Sequence, residues 1–302
     1  MNQKQLGRTG VALPEIGLGT WSFHAGPEPL RRGLAAGALF IDTAESYGSE
    51  PVVAEAMAGQ RERIFLATKV SQTNLRRESV LRAADASLGR LRTDYLDLYQ
   101  IHAPNSEVPI EETLSAMEEL VEAGKVRFIG VSNFTLAELQ QAQKAMRKHS
   151  IVSNQVRYNL ADRTIEAGLL AYCQTQHITV IAYSPLGREL QRIRDSDPHG
   201  VLDTLARETG KTVPQVVLNW CLCHDAVVAI PKGNSVEHVL ENCGASGWRL
   251  TSEQFQRLNE GIQSRRRGSF EQVLRKLVPN QMGPFIKRCV RKLPRGLRRR
   301  MT

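Results

Sequence analysis

Residues 38–44, 63–70 and 95–102 read ALFIDTA, RIFLATKV and YLDLYQIH, three short β-rich apolar runs with polar side chains at or near their ends. Five more runs of this kind occur along the chain: EIGLGTW, VRFIGVSNF, IVSNQVRYN, ITVIAYSPL and AVVAIPKG. Segments with helical apolar spacing separate most of them, such as residues 79–88, 110–121, 136–146 and 165–172. Strands that alternate with helices imply parallel crossovers, and eight such units predict an α/β fold, a closed (β/α)8 TIM barrel.

The segments outside this repeat predict further features. KQLGRTGVALPEIG, at residues 4–17, has a glycine-containing turn between two short extended runs and predicts an N-terminal hairpin that covers the floor of the barrel. The longest connection, residues 186–224, joins the seventh and eighth barrel strands, and we expect it to reach the substrate. We expect two helices within it, at 201–209 and 214–223, and a last barrel helix at 252–262.

Composition limits the class of protein. The chain has 302 residues, of which 41% are hydrophobic, enough for one barrel domain at residues 1–263. No stretch of about eighteen apolar residues is present and MNQKQLGRTG lacks an apolar signal core, so we expect a cytoplasmic protein. Five cysteines without a C-x-x-C pair fit neither a disulfide framework nor a tetrahedral zinc site, and no metal site is predicted.

Positive charge is concentrated in residues 264–302, which hold thirteen Lys and Arg and a single acid, Glu271. Apolar residues at helical spacing in 270–278 and 285–293 predict two amphipathic helices in this basic C-terminal extension. We favour packing of their apolar stripes on the barrel. The alternative is peripheral contact with an anionic membrane or another polyanion. No nucleic-acid partner is expected, because the extension has two aromatic residues and no recognisable nucleic-acid module.

Four polar residues lie at or just after the ends of three consecutive predicted strands: Asp42, Tyr47, Lys69 and His102. The strands of a parallel barrel end on one face, so these side chains can converge. A phenol has a pKa of about 10, which a nearby ammonium lowers, so Tyr47 beside Lys69 becomes a proton donor. Asp42 would hold Lys69, and His102 would orient a carbonyl oxygen. Such a site protonates a developing alkoxide, and reduction would require a hydride donor such as a nicotinamide cofactor.

Each of these residues also has an ordinary structural interpretation. An Asp–Lys pair is commonly a salt bridge, a lone Tyr commonly packs, and a lone His is commonly a satisfied polar residue. Their shared position at the strand ends favours an active site, because barrel enzymes place their chemistry on that face.

Several motifs, in order from about Leu6 to Asn259, closely resemble the aldo-keto reductase family: LGRTG, GLGTW, FIDTAESYG, TKV, IH, GVSNF, NQVRYN, AYSPLG and IPKGNSVEHVLEN. The resemblance implies a catalytic tetrad with a tyrosine as general acid. Its members match Asp42, Tyr47, Lys69 and His102.

The resemblance also implies a nicotinamide dinucleotide bound in extended form across the barrel mouth. GLGTWS lacks the third glycine of a Rossmann fingerprint, as the family does. By resemblance, Thr20 and Trp21 border the nicotinamide, and its carboxamide is bound by Ser132, Asn133 and Gln155. Tyr183 stacks on the nicotinamide ring, and Ser184 and Leu186 approach the pyrophosphate.

The residues that match the adenosine end of the family's cofactor site imply NADP rather than NAD. Lys232 and Ser235 match positions that hold the 2′-phosphate in NADP-preferring members, and a helix beginning near Ser235 would offer free N–H groups to a phosphate. His238, however, stands where many members have an arginine, and Gly233 replaces a common hydroxyl residue. Two further positions match residues near the adenine, Glu241 and Asn242.

The resemblance therefore implies an NADPH-dependent oxidoreductase that reduces small-molecule aldehydes or ketones to alcohols. An open, apolar-walled pocket would accept a range of carbonyl compounds, and we expect it to be lined by Trp21, Phe23 and His24 after the first strand and by residues 103–109 and 187–199. The sequence selects neither one substrate nor an oligomeric state. The alternative is a cofactor-binding regulatory or scaffold subunit with slow turnover, attached to a membrane surface through its basic extension. Multiple-turnover reduction of an activated aldehyde distinguishes the two.

Overall fold

A parallel eight-stranded sheet forms the centre of the protein, with helices between successive strands. The computed structural model describes residues 1–187 and 189–264. Its strands are β1 (Gln3–Gln5), β2 (Ala12–Pro14), β3 (Leu18–Gly19), β4 (Phe40–Asp42), β5 (Phe65–Val70), β6 (Leu96–Ile101), β7 (Val126–Ser132), β8 (Ile151–Arg157), β9 (Thr179–Tyr183) and β10 (Val227–Ile230).

Helices α1 to α11 follow the same chain order. They are α1 (Glu28–Ala35), α2 (Glu50–Met57), α3 (Arg77–Leu91), α4 (Ile110–Glu122), α5 (Leu136–Ala145), α6 (Leu169–Gln176), α7 (Leu190–Arg194), α8 (Val201–Thr209), α9 (Val213–Leu222), α10 (Val236–Cys243) and α11 (Ser252–Gly261). Short 3₁₀ turns occur at Glu45–Tyr47, Arg61–Arg63 and Thr164–Glu166.

The sheet closes into a barrel. Strands β3 to β10 pair in chain order, each parallel to the next. The two ends of the sheet meet through backbone hydrogen bonds from Gly17 N to Ala229 O (2.8 Å) and from Gly19 N to Pro231 O (3.1 Å). The prediction of a (β/α)8 TIM barrel is confirmed.

The predicted N-terminal hairpin is also present, as antiparallel β1 and β2. Its Leu6 and Leu13 are fully buried in one cluster with Phe40, Phe65 and Val228, which lie at the starts of barrel strands. The hairpin therefore covers the N-terminal end of the barrel, and the opposite, C-terminal end is left for the site.

Alternation along the strands separates an apolar floor from a polar mouth. Phe40 and Phe65 face the interior near the hairpin, and Asp42 and Lys69 lie further along the same two faces. Side chains two residues apart on a strand share a face, so the polar residues near the strand ends point into the upper part of the barrel.

One predicted helix position was wrong, and one helix was not predicted. The helix predicted at 165–172 is a 3₁₀ turn followed by α6, with Gly168 at φ 130° between them, a backbone conformation that favours glycine. The connection after β9 contains α7 at Leu190–Arg194, a part of the connection for which the sequence predicted no helix. The predictions for the basic extension fall almost entirely on residues 265–302, outside the described residues, so the boundary at 263/264 stays a prediction.

Among the helices that the structure describes, none combines the length and apolar character needed to cross a membrane.

Candidate active site

A buried ion pair lies at the C-terminal end of β4 and β5. Lys69 Nζ donates to Asp42 Oδ1 at 2.6 Å and to Thr43 O at 2.7 Å, and both charged side chains are almost fully excluded from solvent. Burial by itself lowers the pKa of Lys69, but the Asp42 carboxylate and Tyr47 outweigh it, and the pKa is raised above its ordinary value. Lys69 is therefore a fixed cation in this site.

Tyr47 lies directly against this pair. The turn Glu45–Tyr47 is held to the segment after β5, because Glu45 Oε1 accepts hydrogen bonds from Ser71 N and Asn74 Nδ2. Lys69 Nζ is 4.9 Å from the centre of the Tyr47 ring. The turn thus presents the phenol to the ammonium.

The pKa of Tyr47 moves in the direction opposite to our prediction. Burial raises it, Lys69 lowers it and Asp42 raises it, and the net shift is upward from the ordinary value of about 10. The prediction of a net lowering by Lys69 is wrong for this arrangement, because removal of water from the phenolate outweighs the cation. Tyr47 is therefore a protonated hydroxyl at neutral pH.

His102 completes the group. Its Nε2 is 3.4 Å from the Tyr47 hydroxyl, its Nδ1 is 3.5 Å from Ser46 Oγ, and the Tyr47 and His102 rings meet edge to face. Burial and then the charge of Lys69 lower the pKa of His102 to about 4. The imidazole is therefore neutral at physiological pH and can donate one hydrogen bond while it accepts another. The structure brings together all four predicted catalytic side chains.

Three of the residues predicted to bind the nicotinamide contact this group or each other. Thr20 is buried, and its Oγ1 donates to Asp42 O at 3.0 Å. Ser132 Oγ donates to Gln155 O at 2.9 Å, and Gln155 Nε2 donates to Asp42 Oδ2 at 2.7 Å. Gln155 therefore already binds the carboxylate in this structure.

Asn133 joins β7 to its neighbours at the mouth. Its Nδ2 donates to His102 O at 2.9 Å, and its Oδ1 accepts from the Tyr183 hydroxyl at 2.9 Å. The Tyr183 hydroxyl thus reaches from β9 across β8 to the residue that follows β7. Trp21 has 48% of its surface exposed at the end of β3.

Left-handed backbone conformations mark the same face. Ser22, Asn133 and Ser184 have φ values of 52°, 63° and 49° and follow β3, β7 and β9. The Ser184 carbonyl is held by Asn159 Nδ2 at 2.9 Å. Such conformations are uncommon outside glycine and concentrate at functional sites. Leu186, two residues further on, is half-buried.

The predicted adenosine residues lie in the loop before α10 and along α10 itself, from its N-cap to its last turn. Ser235 caps this helix by accepting a hydrogen bond from His238 N, and Asn242 Nδ2 lies 3.5 Å from Lys232 O. Lys232 Nζ donates to Ser22 O at 3.3 Å, which connects this group to the loop beside Trp21. Lys232 and His238 are exposed, Glu241 is half-buried and Asn242 is buried. The predicted helix start at Ser235 is confirmed.

The structure explains why residue 233 is a glycine, which the sequence alone did not. A Cβ atom at this position would lie 2.6 Å from Val239 Cγ2 and 2.9 Å from Val239 N. The glycine lets the β10–α10 loop pack directly on the first turn of α10.

Sequence reasoning missed Gln100, a fully buried side chain whose Nε2 lies 3.3 Å from Asp42 Oδ2. A signal was present in YLDLYQIH: Gln100 is two residues before His102 and therefore on the same face of the strand.

The comparisons with known proteins agree with this geometry. The model of the Aldo/keto reductase family matches residues 15–263. Methylglyoxal reductase YeaE of Escherichia coli (strain K12) is 38% identical over 271 residues, which cover 86% of this chain and 95% of that protein. A thermostable aldo-keto reductase in complex with the inhibitor epalrestat is 41% identical with a TM-score of 0.81, and the match covers 86% of this chain and 99% of that one.

An aldo-keto reductase from Klebsiella pneumoniae in complex with NADPH is 37% identical with a TM-score of 0.82, and the match covers 88% of this chain and 98% of that one. Family match, sequence identity and fold extend over the same barrel. The chain therefore belongs to the aldo/keto reductase family.

Proposed function

We propose that the protein is an NADPH-dependent reductase of small aldehydes and ketones, with Tyr47 as the proton donor. The observation that carries the proposal is the protonated Tyr47 hydroxyl between the buried Lys69–Asp42 pair and neutral His102 at the mouth of the barrel. A related methylglyoxal reductase and a related structure with NADPH support both the substrate class and the cofactor.

The residues at the mouth fit a dinucleotide. Lys232 is exposed and belongs to no ion pair within residues 1–187 and 189–264, so its charge is available to a phosphate. The three left-handed residues Ser22, Asn133 and Ser184 follow strands β3, β7 and β9, at the end of the barrel where we expect the cofactor to bind. Tyr183 offers a half-buried ring beside Asn133 for stacking. When bound, the nicotinamide supplies the hydride to the carbonyl carbon.

The chain's own residues control the proton. The Tyr47 hydroxyl donates its proton to the carbonyl oxygen as the C=O π bond breaks, and Lys69 stabilises the phenolate that results. His102, being neutral, donates an N–H to the carbonyl oxygen and orients it toward the phenol. Asp42 holds Lys69 in position through the 2.6 Å contact.

Turnover tests the proposal. The purified protein is mixed with NADPH and either 4-nitrobenzaldehyde or methylglyoxal, and NADPH oxidation is followed by absorbance. We expect many turnovers, and Tyr47→Phe should lose about 100-fold or more in kcat while its Kd for NADPH is retained. Tyr172→Phe is the matched control, because its hydroxyl binds Gln143 at 2.6 Å on the outer helices.

The opposite outcome is equally informative. Tight NADPH binding with at most one turnover across the aldehydes would reject the reductase proposal. It would favour the alternative of a cofactor-binding regulatory or scaffold subunit.

As the less favoured interpretation of residues 264–302, we propose contact with an anionic surface, on the basis of their thirteen basic residues and apolar stripes. The full chain and a chain truncated after residue 268 are sedimented with vesicles that contain phosphatidylserine, at low and high salt. Salt-sensitive binding that truncation removes supports the proposal, and equal binding of the two chains rejects it.

A further inference from the structure

Gln100 and Gln155 bind the oxygen of Asp42 that Lys69 leaves unused. Gln155 Nε2 lies 2.7 Å from Asp42 Oδ2 and Gln100 Nε2 lies 3.3 Å from the same atom. Gln155 Nε2 is also 3.5 Å from Gln100 Oε1. The two amides and the carboxylate therefore form a closed ring of contacts from β4, β6 and β8.

A buried carboxylate needs these partners. Transfer of a charged group out of water is costly unless its oxygens are paired with donors. Lys69 pairs with Oδ1, and the two amides pair with Oδ2. The two amides fix the orientation of the carboxylate and draw part of its negative charge away from Oδ1, the oxygen that faces Lys69.

The neighbouring strand is shaped to accommodate Gln100. A Cβ atom at Gly130 on β7 would overlap Ser153 Oγ and lie 3.1 Å from Gln100 Cγ. Glycine at this position leaves room for a polar layer in the barrel interior, under the predicted catalytic residues. A bulkier residue at 130 would have to displace Gln100 or Ser153.

We propose that Gln100 is a positioning residue for carbonyl reduction, which it assists through the Asp42–Lys69–Tyr47 chain. The inference rests on the proposed function, because Gln100 acts on the proton donor. Four groups with charge or a titratable proton face Tyr47 or lie near it: Asp42 on β4, Lys69 on β5, His102 after β6 and Tyr183 on β9. When Gln100 is lost, more negative charge stays on Asp42, so Tyr47 experiences less of the Lys69 cation and gives up its proton less readily.

The test is Gln100→Met, which has similar length and no amide. We expect kcat for 4-nitrobenzaldehyde to fall about fivefold, equivalent to about 1 kcal/mol, the usual contribution of one hydrogen bond. The high-pH limb of the kcat profile should move to higher pH, because the pKa of Tyr47 rises further. The Kd for NADPH should not change. Gln155→Met should show the same kcat and pH effects together with weaker NADPH binding.

Tyr99→Phe is the control on the same strand. Tyr99 faces the opposite side of β6, and its buried hydroxyl makes no hydrogen bond within the described part of the chain. This variant should keep the parent kcat and pH profile.

Three outcomes overturn the inference. One is a Gln100→Met variant with the parent kcat and pH profile. Another is a loss of stability and rate without movement of the high-pH limb, which would make Gln100 merely structural. An inactive parent would overturn the proposed function and this inference together, whereas an active parent with an unaffected Gln100→Met variant overturns this inference alone.

Discussion

Lys69 Nζ lies 2.6 Å from Asp42 Oδ1, and neither side chain is reached by solvent to more than 2%. A buried pair of this kind contributes little net stability, because desolvation of both charges offsets their attraction. Its value is to keep a fixed cation beside Tyr47.

Removal of one charge of the pair should be much more harmful than removal of both. Lys69→Met leaves the Asp42 carboxylate buried without its cation, and we expect a loss of about 3–5 kcal/mol in the free energy of unfolding. The double variant Lys69→Met/Asp42→Asn should recover most of that loss and remain inactive. Urea denaturation and NADPH turnover measure the two effects. A single variant as stable as the parent would contradict this prediction.

Reduction and oxidation should respond differently to pH. The pKa of Tyr47 is raised, so the hydroxyl stays protonated and the rate of aldehyde reduction should be flat through neutral pH, with a fall only above the ordinary pKa of a phenol. Alcohol oxidation with NADP⁺ needs the phenolate as a base, so its rate should rise as pH increases. A fall in the reduction rate near neutral pH would mean that Lys69 outweighs burial after all. Steady-state rates in both directions provide the comparison.

Lys4 should anchor the N-terminal hairpin. Its Nζ donates to the carbonyl oxygens of Leu222, His224 and Val227 at 2.7, 2.6 and 2.8 Å. Lys4→Met leaves these acceptors without their donor and should lower the free energy of unfolding by about 1–3 kcal/mol. The control is Lys148→Met, which breaks only an exposed pair with Glu122 and should have no measurable effect. Equal thermal midpoints for the two variants would refute the anchoring role.

Lys232 should distinguish the two nicotinamide cofactors. If it binds the 2′-phosphate, Lys232→Met should raise the Kd for NADPH about tenfold, the effect of one charge-assisted hydrogen bond, and leave the Kd for NADH unchanged. Quenching of tryptophan fluorescence measures both constants. An equal change for both cofactors would place Lys232 elsewhere on the dinucleotide.

The fold could be predicted from the sequence because its signals are local. ALFIDTA and RIFLATKV are short β-rich runs, and the intervening segments have helical periodicity, so each element could be recognised within its own residues. Errors arose where local signals compete. The helix predicted at 165–172 contains Gly168, whose φ of 130° interrupts it and moves the helix start to Leu169.

The membership of the candidate site could also be predicted, but not its electrostatics. Asp42 and Lys69 lie at the C-terminal ends of their strands, Tyr47 and His102 come after the ends of theirs, and parallel strands of one barrel end on one face. The direction of the Tyr47 pKa shift depends on how much water the assembled mouth excludes, and this quantity has no local signature.

The sequence by itself therefore determined the order of strands and helices, the barrel and the four side chains at its mouth, because periodicity and chain position encode them. Only the tertiary structure decided that the pKa of Tyr47 is raised and that Gln100 and Gln155 bind the free oxygen of Asp42. Those contacts join residues up to 113 positions apart. They depend on the register between strands and on burial, which exist only once the barrel has closed.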